Sequence, residues 1–508
     1  MLAAFGDCEG AQKEYLLDLL RQNRATAYGR EYRFKAISSV KDFQRNVPLT
    51  KYEDYTAFVD RIAGGEEGVL TSEKVLLFQP SSGSVSARKL VPYTRMLRRE
   101  FQRGILPWIF ALYEEYPSLE DGRMYWSISP PGGSQGARHG TVRIGFDDDA
   151  DYLGPRRRAL FLLFAVAPPK IADLRDIRAF RNTTLAALLA APDLALISVW
   201  SPSFLTLLLD WYLDYADEVL DTLRQTYPAV TRRRVETLQA LGRYPSVFEQ
   251  IWPHVAVISC WTDAASASEA RRLQEFFPHT PIQGKGLLAT EACVSLPFAP
   301  RRDPVLAVRS HFFEFLADNG DCLAAHEVAA GDEYSVVVTT GGGFYRYRLE
   351  DRVLVTGFLG TTPTLRFLGK ANHISDRYGE KLHARHVECL LDNLLAGVPR
   401  RFCLLAPDQG KDGPCYTLHI ELSGELPADL AHRLEHGLRE NPHYCLCAGL
   451  GQLRPVRLFR VRRNGLRSYE ARLVAQGQRQ GDIKPACLSA LDGWSGYFEG
   501  EYCPEDSA

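Results

Sequence analysis

What most constrains this chain is a regular exchange, over residues 74–340, between short apolar runs and longer amphipathic ones. "KVLLFQ" (74–79), "RMYWSISP" (123–130), "LALISVW" (194–200) and "HVAVISCW" (254–261) have the β-branched and aromatic content of strands. "GLLATEACVSLP" (286–297), "FFEFL" (312–316) and "EYSVVVTT" (333–340) continue the series. Residues 93–113 and "FLTLLLDWYLDYADEVLDTL" (204–223) carry helical spacing between them. Strands alternating with helices predict an α/β build with largely buried strands.

Residues 11–32 predict a further helix ended by Gly29, and 40–70 predict short helices broken at Pro48 and Gly64–Gly65. From about residue 370 the texture shifts. Strands such as "RFCLLAP", "YTLHIEL" and "PVRLFRV" alternate with helices at 384–396 and 428–440. A chain of 508 residues is too long for one core. The division expected is a large N-terminal domain, 1–369, of mixed sheets flanked by helices, and a smaller α+β domain, 370–508.

Composition excludes several classes. A formal net charge of −2 gives no general attraction to nucleic acid or anionic membrane. No apolar run reaches the ~18 residues of a membrane span, and the first fifteen residues turn polar too early for a signal peptide. Eleven cysteines without a CxxC pair argue against a zinc ribbon or a disulfide scaffold. They read as reduced thiols of a cytoplasmic protein.

"QPSSGSVSARKLVPYT" (79–94) sets hydroxyls, a glycine and two cations between an apolar run and what reads as a helix start. Backbone N–H groups, hydroxyls and a helix N-terminus suit phosphate oxygens, and a lysine neutralises their charge. The pattern G-x-x-x-x-G-K-S/T is absent. On its own this stretch fits a solvated loop better. "ATE" (289–291) puts Thr290 and Glu291 at the end of an apolar strand, where a hydroxyl and a carboxylate suit a phosphate and its Mg²⁺. In "GGGFYRYRLEDRVLVTG", Asp351 follows an aromatic pair and suits ribose hydroxyls. "RFLGKANHISDRYGEKLHARHVE" offers Lys370 and Lys381.

The order of these motifs resembles the Gretchen Hagen 3 family of acyl-acid amido synthetases, within the adenylate-forming superfamily. The superfamily's phosphate loop, S/T-S-G-S/T-T-G-x-P-K, is similar to "SSGSVSARK" (81–89). Its Y-G-x-T-E resembles "ATE", its Y-R-x-G-D resembles "YRLED" (347–351), and its hinge segment resembles "GKANHISDRYGEKL" (369–382). "NRATAYGREYRF", "VPLTKYEDY", "ISVWSPSFL", "GFDDDADYLG" and "GDIKPACL" extend the resemblance from about residue 11 to 488. Two departures stand out: the phosphate loop's second glycine is lost around Ser86–Ala87, and the glycine of Y-R-x-G-D is Glu350.

The resemblance implies an ATP-dependent enzyme that adenylates a carboxylic acid and passes the acyl group to an amine or amino acid. Ser81, Ser82, Gly83, Ser84 and Lys89 would hold the departing phosphates, with Thr290 beside them. Glu291 would hold Mg²⁺ and Asp351 the ribose, while Tyr347 and Lys370, the latter beside the hinge, would also bind the nucleotide. Lys381 or Lys484, from a small domain that rotates between half-reactions, would stabilise the α-phosphate or the acyl carboxylate. Trp200 and Phe204 read as core or as acyl-pocket walls, and Arg103 as a surface charge or a carboxylate anchor. Two other readings stay open: a ligase forming a thioester with coenzyme A or a carrier thiol, and a non-catalytic binding or scaffold homologue. "GGSQG" (132–136) matches a nucleophile-elbow pattern without the strand before it and the helix after it that such a site needs, and "HRLEH" (432–436) spells a zinc pattern on a helix that reads as solvated, among ordinary polar residues.

Overall fold

The computed structural model describes residues 2–80, 89–126, 137–145, 164–168, 174, 176–229, 232–298, 303–370, 374–411, 413–478 and 483–504. The chain divides into two compact units, Met1–Leu368 with Arg479–Asp482, and Gly369–Gln478 with Ile483–Ala508. The fold is the expected α/β class with a large N-terminal and a smaller C-terminal part.

In the larger unit a four-stranded sheet runs in the order Arg123–Trp126, Leu194–Ser198, Val257–Cys260, Ile282–Gly284. Its pairings are parallel, with Leu196 opposite Val257 and Ile258 opposite Ile282. Every residue of Leu194–Ser198 and of Val257–Cys260 is buried, as strands covered on both faces require. The helix Pro202–Thr226 covers this sheet. Pro202–Leu209 are buried on every side, with the two polar side chains there, Ser203 and Thr206, hydrogen-bonded to Ser201 Oγ and Glu269 Oε2. The helix turns out of register at Tyr215, whose φ/ψ of −131°/34° are not helical.

A seven-stranded sheet has the order Cys322–Ala324, Phe312–Leu316, Glu333–Thr339, Tyr347–Leu359, Thr362–Lys370, Val305–Leu306, Ser295–Leu296. Phe313 faces Val338 in an antiparallel register there. Its core joins the N-terminal helix Cys8–Asn23 through Leu16, Leu19 and Leu20. That helix is shorter than the sequence suggests. Gly29 lies inside a second helix, Ala27–Glu31, because Thr26 caps a new start by accepting from the Gly29 N–H.

In the smaller unit the sheet order is Arg400–Gly410, Gly413–Leu422, Arg457–Val461, Gly500–Tyr502. Helices Ala384–Leu394 and Leu430–Leu438 bury Val387, Leu391, Leu430, Leu434 and Leu438 against it. All eleven cysteines are free thiols. No helix among the described residues is long and apolar enough to cross a membrane.

Candidate active site

Ser81, Ser82, Gly83 and Ser84 lie outside the described residues, as does the departure at Ser86–Ala87. The frame of their loop differs from the strand–loop–helix expected. Leu90–Tyr93 is a strand, antiparallel to Leu77–Pro80, with Val91 opposite Gln79. Val91 and Tyr93 are buried, and that packing outweighs the turn signal of Pro92. The helix begins only at Arg95, where Thr94 Oγ1 accepts from the Leu97 N–H at 3.0 Å. A strand therefore separates the loop from the helix N-terminus.

Lys89 is half-buried where this hairpin resumes, and its ammonium donates to Tyr347 Oη at 3.4 Å. Next to it the Leu90 N–H donates to Tyr52 Oη at 2.6 Å. Tyr347 is buried and stacks on Phe344, ring centroids 4.6 Å apart. Burial pushes its phenol far above the ordinary range, and the negative charges of Glu291, Glu350 and Glu53 push the same way. Two stretches 258 positions apart thus meet at Lys89 and Tyr347, within reach of the Glu291 charge.

Glu350 has a left-handed φ of +63°. Pairing is regular where Val337 faces Arg348 and where Ser335 faces Arg352, and the register shifts between these pairs. Residues 349–351 therefore bulge opposite one residue. A bulge of this kind takes a glycine at its left-handed position, which is what the family's glycine would supply. Here Glu350 adopts that conformation without being glycine, and Asp351 follows it, buried at 4% exposure. Arg346, also left-handed at +48°, is anchored by Glu314 at 3.1 Å and by the carbonyls of Gln44 and Val47 at 2.8 and 2.9 Å. Such conformations persist only where the surroundings over-determine them, and they collect at functional sites.

Thr290 and Glu291 do not end a strand. Leu288 and Cys293 form an antiparallel bridge, and the Ala289 N–H donates to the Ala292 carbonyl at 2.9 Å. The two residues form the tip of a tight hairpin, with Thr290 half-buried and Glu291 buried at 8% exposure. No cluster of three or more potential metal ligands occurs among the described residues. Mg²⁺ keeps several waters and binds through one or two carboxylates plus substrate phosphates, so a single carboxylate at a hairpin tip fits a nucleotide-borne Mg²⁺.

Trp200 is half-buried, its ring 6.2 Å from Trp126 and 6.0 Å from Trp261. Phe204 is core, edge-on to Phe180 at 6.2 Å. Arg103 is exposed on the helix Arg95–Glu115. In the smaller unit Lys370, Lys381 and Lys484 are all exposed. Lys381 has a left-handed φ of +42°, and its carbonyl accepts from Asn441 Nδ2 at 3.0 Å. The neighbouring Glu380 is fully buried and holds this turn, accepting from the Arg377 and Tyr378 N–H groups at 3.0 and 2.7 Å and from Tyr416 Oη. His432 and His436 are exposed on the helix Leu430–Leu438, and 132–136 lie outside the described residues.

Sequence reasoning missed the residues that brace these turns. Glu100 and His311 hold the segments around Gly341 and Cys293, and Tyr52 clamps Leu90. It also missed Lys285, fully buried beside Trp200. No local signal marks any of them, since each partner lies on a distant segment.

Comparison with known proteins gives one answer. Models of the GH3 family N-terminal, central and C-terminal domains match residues 2–282, 304–370 and 387–491. A probable indole-3-acetic acid-amido synthetase, GH3.12 of Oryza sativa subsp. japonica, is 23% identical, with 95% of this chain and 92% of that protein covered. The indole-3-acetic acid-amido synthetase GH3.2 of Arabidopsis thaliana is 24% identical over 76% of this chain and 78% of its own length. Among solved structures, GH3.15 acyl acid amido synthetase superposes with a TM-score of 0.79 at 17% identity, covering 96% of this chain and 93% of that one. With three successive domain models matched in order along most of its length, the chain belongs to the Gretchen Hagen 3 family.

Proposed function

We propose that the protein is an ATP-dependent, AMP-forming acyl-acid amido synthetase acting on a small carboxylic acid and an amine or amino acid. The observation that carries this reading is the meeting of Lys89 with Tyr347 under the charge of Glu291, in a chain whose relatives are named amido synthetases.

A free carboxylate is a poor acyl donor, because an amine cannot expel oxide. In the first step a carboxylate oxygen attacks the α-phosphorus of ATP, and the bond from that phosphorus to the bridging oxygen breaks to release pyrophosphate. In the second, the amine nitrogen attacks the acyl carbon, AMP departs with the C–O electron pair, and the nitrogen gives a proton to solvent. Lys89, with Ser81, Ser82, Gly83 and Ser84, holds the phosphates as charge builds on the departing pyrophosphate. Thr290 hydrogen-bonds a phosphate oxygen; Tyr347 and Asp351 orient the ribose. Glu291 would hold a nucleotide-borne Mg²⁺, which would supply positive charge against the phosphates. Lys381 or Lys484 supplies a cation at the α-phosphate or the acyl carboxylate. The domain boundary belongs near 369, with residues 369–372 and Lys370 as the hinge about which the small domain turns between half-reactions. Trp200 stands at the acyl end. Free thiols throughout favour a cytoplasmic setting.

The test is acid-dependent exchange of labelled pyrophosphate into ATP over a panel of carboxylic acids, followed by product analysis with amines and with thiols. Exchange followed by amide formation is expected. Thioester as the sole product, or no ATP binding, would overturn the reading.

A further inference from the structure

Each strand of the parallel sheet ends at one cluster. Trp126 closes the first and Ser198 the second, with Trp200 two residues on; Cys260 closes the third, and Lys285 follows Gly284 of the fourth. In open α/β sheets ligands bind outside the carboxyl ends of the strands. Here that edge holds a buried cation. Lys285 is 1% exposed. Its ammonium donates to Ser198 Oγ at 2.7 Å and stands 4.5, 4.9 and 5.1 Å from the ring centroids of Trp108, Trp126 and Trp200. Trp108 reaches in from the helix Arg95–Glu115, its indole N–H fixed by Gln283 Oε1 at 2.8 Å.

A buried ammonium is ordinarily offset by a carboxylate. Among the described residues none lies within ion-pair distance of Lys285. The titratable group facing it is Cys260, whose thiol burial pushes up to about 12 and so keeps neutral. The helix and the other strands contribute Trp108, Trp126, Trp200, Ser198 and Gln283, which do not titrate. Indole faces attract a cation and the Ser198 hydroxyl accepts from it, but among the described residues no second hydrogen-bond acceptor meets the ammonium. Burial accordingly pulls the amine down to about 7. A methionine would fill the same space at no electrostatic cost, so packing does not explain a lysine here.

We propose that Lys285 is a specificity-determining residue that reads the far end of the acyl acid, and that this acid carries there a second anionic group, such as a carboxylate, seated among the three indoles. The inference rests on the amido-synthetase reading above. The anion supplies the missing counter-charge, accepts the unused N–H donors and draws a proton onto the amine as it binds. The reacting carboxylate has a different place, beside the phosphates at Lys89, Tyr347 and Glu291.

The test is acid-dependent pyrophosphate exchange with monocarboxylic and α,ω-dicarboxylic acids of matched length, using wild type, Lys285→Met and Lys285→Gln, each first shown to be folded by its melting transition. In wild type the diacid should have at least tenfold the kcat/KM of its monoacid. Its KM should rise as pH is raised from 6 to 9, while that of the monoacid stays flat. Both variants should lose the diacid about a hundredfold and keep or improve the monoacid. Exchange in which the monoacid is preferred by wild type, or in which the diacid preference survives in both variants, overturns the proposal and leaves the amido-synthetase reading intact. Exchange with no acid at all overturns both.

Discussion

His311 Nδ1 lies 3.0 Å from Glu100 Oε2, and neither side chain has any exposure. The other imidazole nitrogen accepts from the Cys293 N–H at 3.1 Å, which assigns the proton to Nδ1 and makes Glu100 its acceptor. Glu100 also accepts from Tyr15 Oη at 2.6 Å and from the Gly341 N–H at 2.9 Å. One carboxylate thus ties the helix after the phosphate loop to the hairpin bearing Glu291 and to the turn before Tyr347. His311→Ala removes one of Glu100's donors and leaves the Cys293 N–H without its acceptor, so unfolding in urea should show a loss of about 1–3 kcal/mol, the scale of a buried polar group left unsatisfied. An unchanged midpoint would mean the dyad contributes nothing.

Glu350→Gly should stabilise the protein. The present residue sits at φ +63°, a conformation that costs a side-chain-bearing residue about 1–2 kcal/mol, partly offset by glycine's greater freedom when unfolded. A net gain of roughly 0.5–1 kcal/mol in urea unfolding, with ATP affinity kept, is expected. A loss of stability would show that the carboxylate contributes more than its backbone conformation costs.

Asp351→Ala should weaken ATP binding tenfold to a hundredfold, since each hydrogen bond from a ribose hydroxyl to a charged acceptor contributes about 1.5–3 kcal/mol. Isothermal calorimetry decides this directly. Equal affinity would leave "YRLED" a purely structural bulge.

Lys381→Ala and Lys484→Ala should leave the melting temperature nearly unmoved, because both lysines are exposed and exposed charges contribute ~0–1 kcal/mol. At least one should cut acyl-adenylate formation about a hundredfold, the scale of a lost transition-state donor. Lys381 is the stronger candidate, given its left-handed backbone braced by Glu380. Full pyrophosphate exchange in both variants would remove the small domain from the chemistry.

Stability should carry a signature of Lys285. Its folded amine is held down at about 7, against roughly 10.4 when unfolded. Between those values the unfolded chain binds a proton that the folded chain does not, so this group's contribution rises with pH across that window; its cost is complete below pH 7. Lys285→Met removes the cost. The variant's advantage over wild type should therefore be largest at pH 6 and shrink towards pH 10, by roughly 1.4 kcal/mol per pH unit inside the window. Paired urea titrations at pH 6 and 9.5 measure it. An advantage that does not change with pH would mean the amine is charged and satisfied when folded.

Elements whose apolar period matches their environment were readable from the chain alone. The strand Phe312–Leu316 coincides with the run that suggests it, and the strongly apolar helix Pro202–Thr226 lies within three residues of its expected ends. Leu90–Tyr93 was not readable, since a proline in a four-residue run reads as a break. The hairpin at Thr290–Glu291 was hidden because the pair lacks the Asn-Gly or Asp-Gly signal of a tight turn and apolar residues flank it on both sides. The indole cage draws on positions 108, 126, 200 and 285, and no local pattern announces a contact closed over such separations.

The helix Arg95–Glu115 holds Glu100 at one point and Trp108 eight residues further on, about 12 Å along its axis. It is a ruler. Its first mark is tied to the nucleotide-side turns and its second is a wall of the cage. The separation of the two marks is set by this one helix, which carries Pro107 just before Trp108. One residue inserted between the marks would swing Trp108 about 100° away from Lys285 and so take one wall out of the indole cage while the Glu100 ties stayed in place.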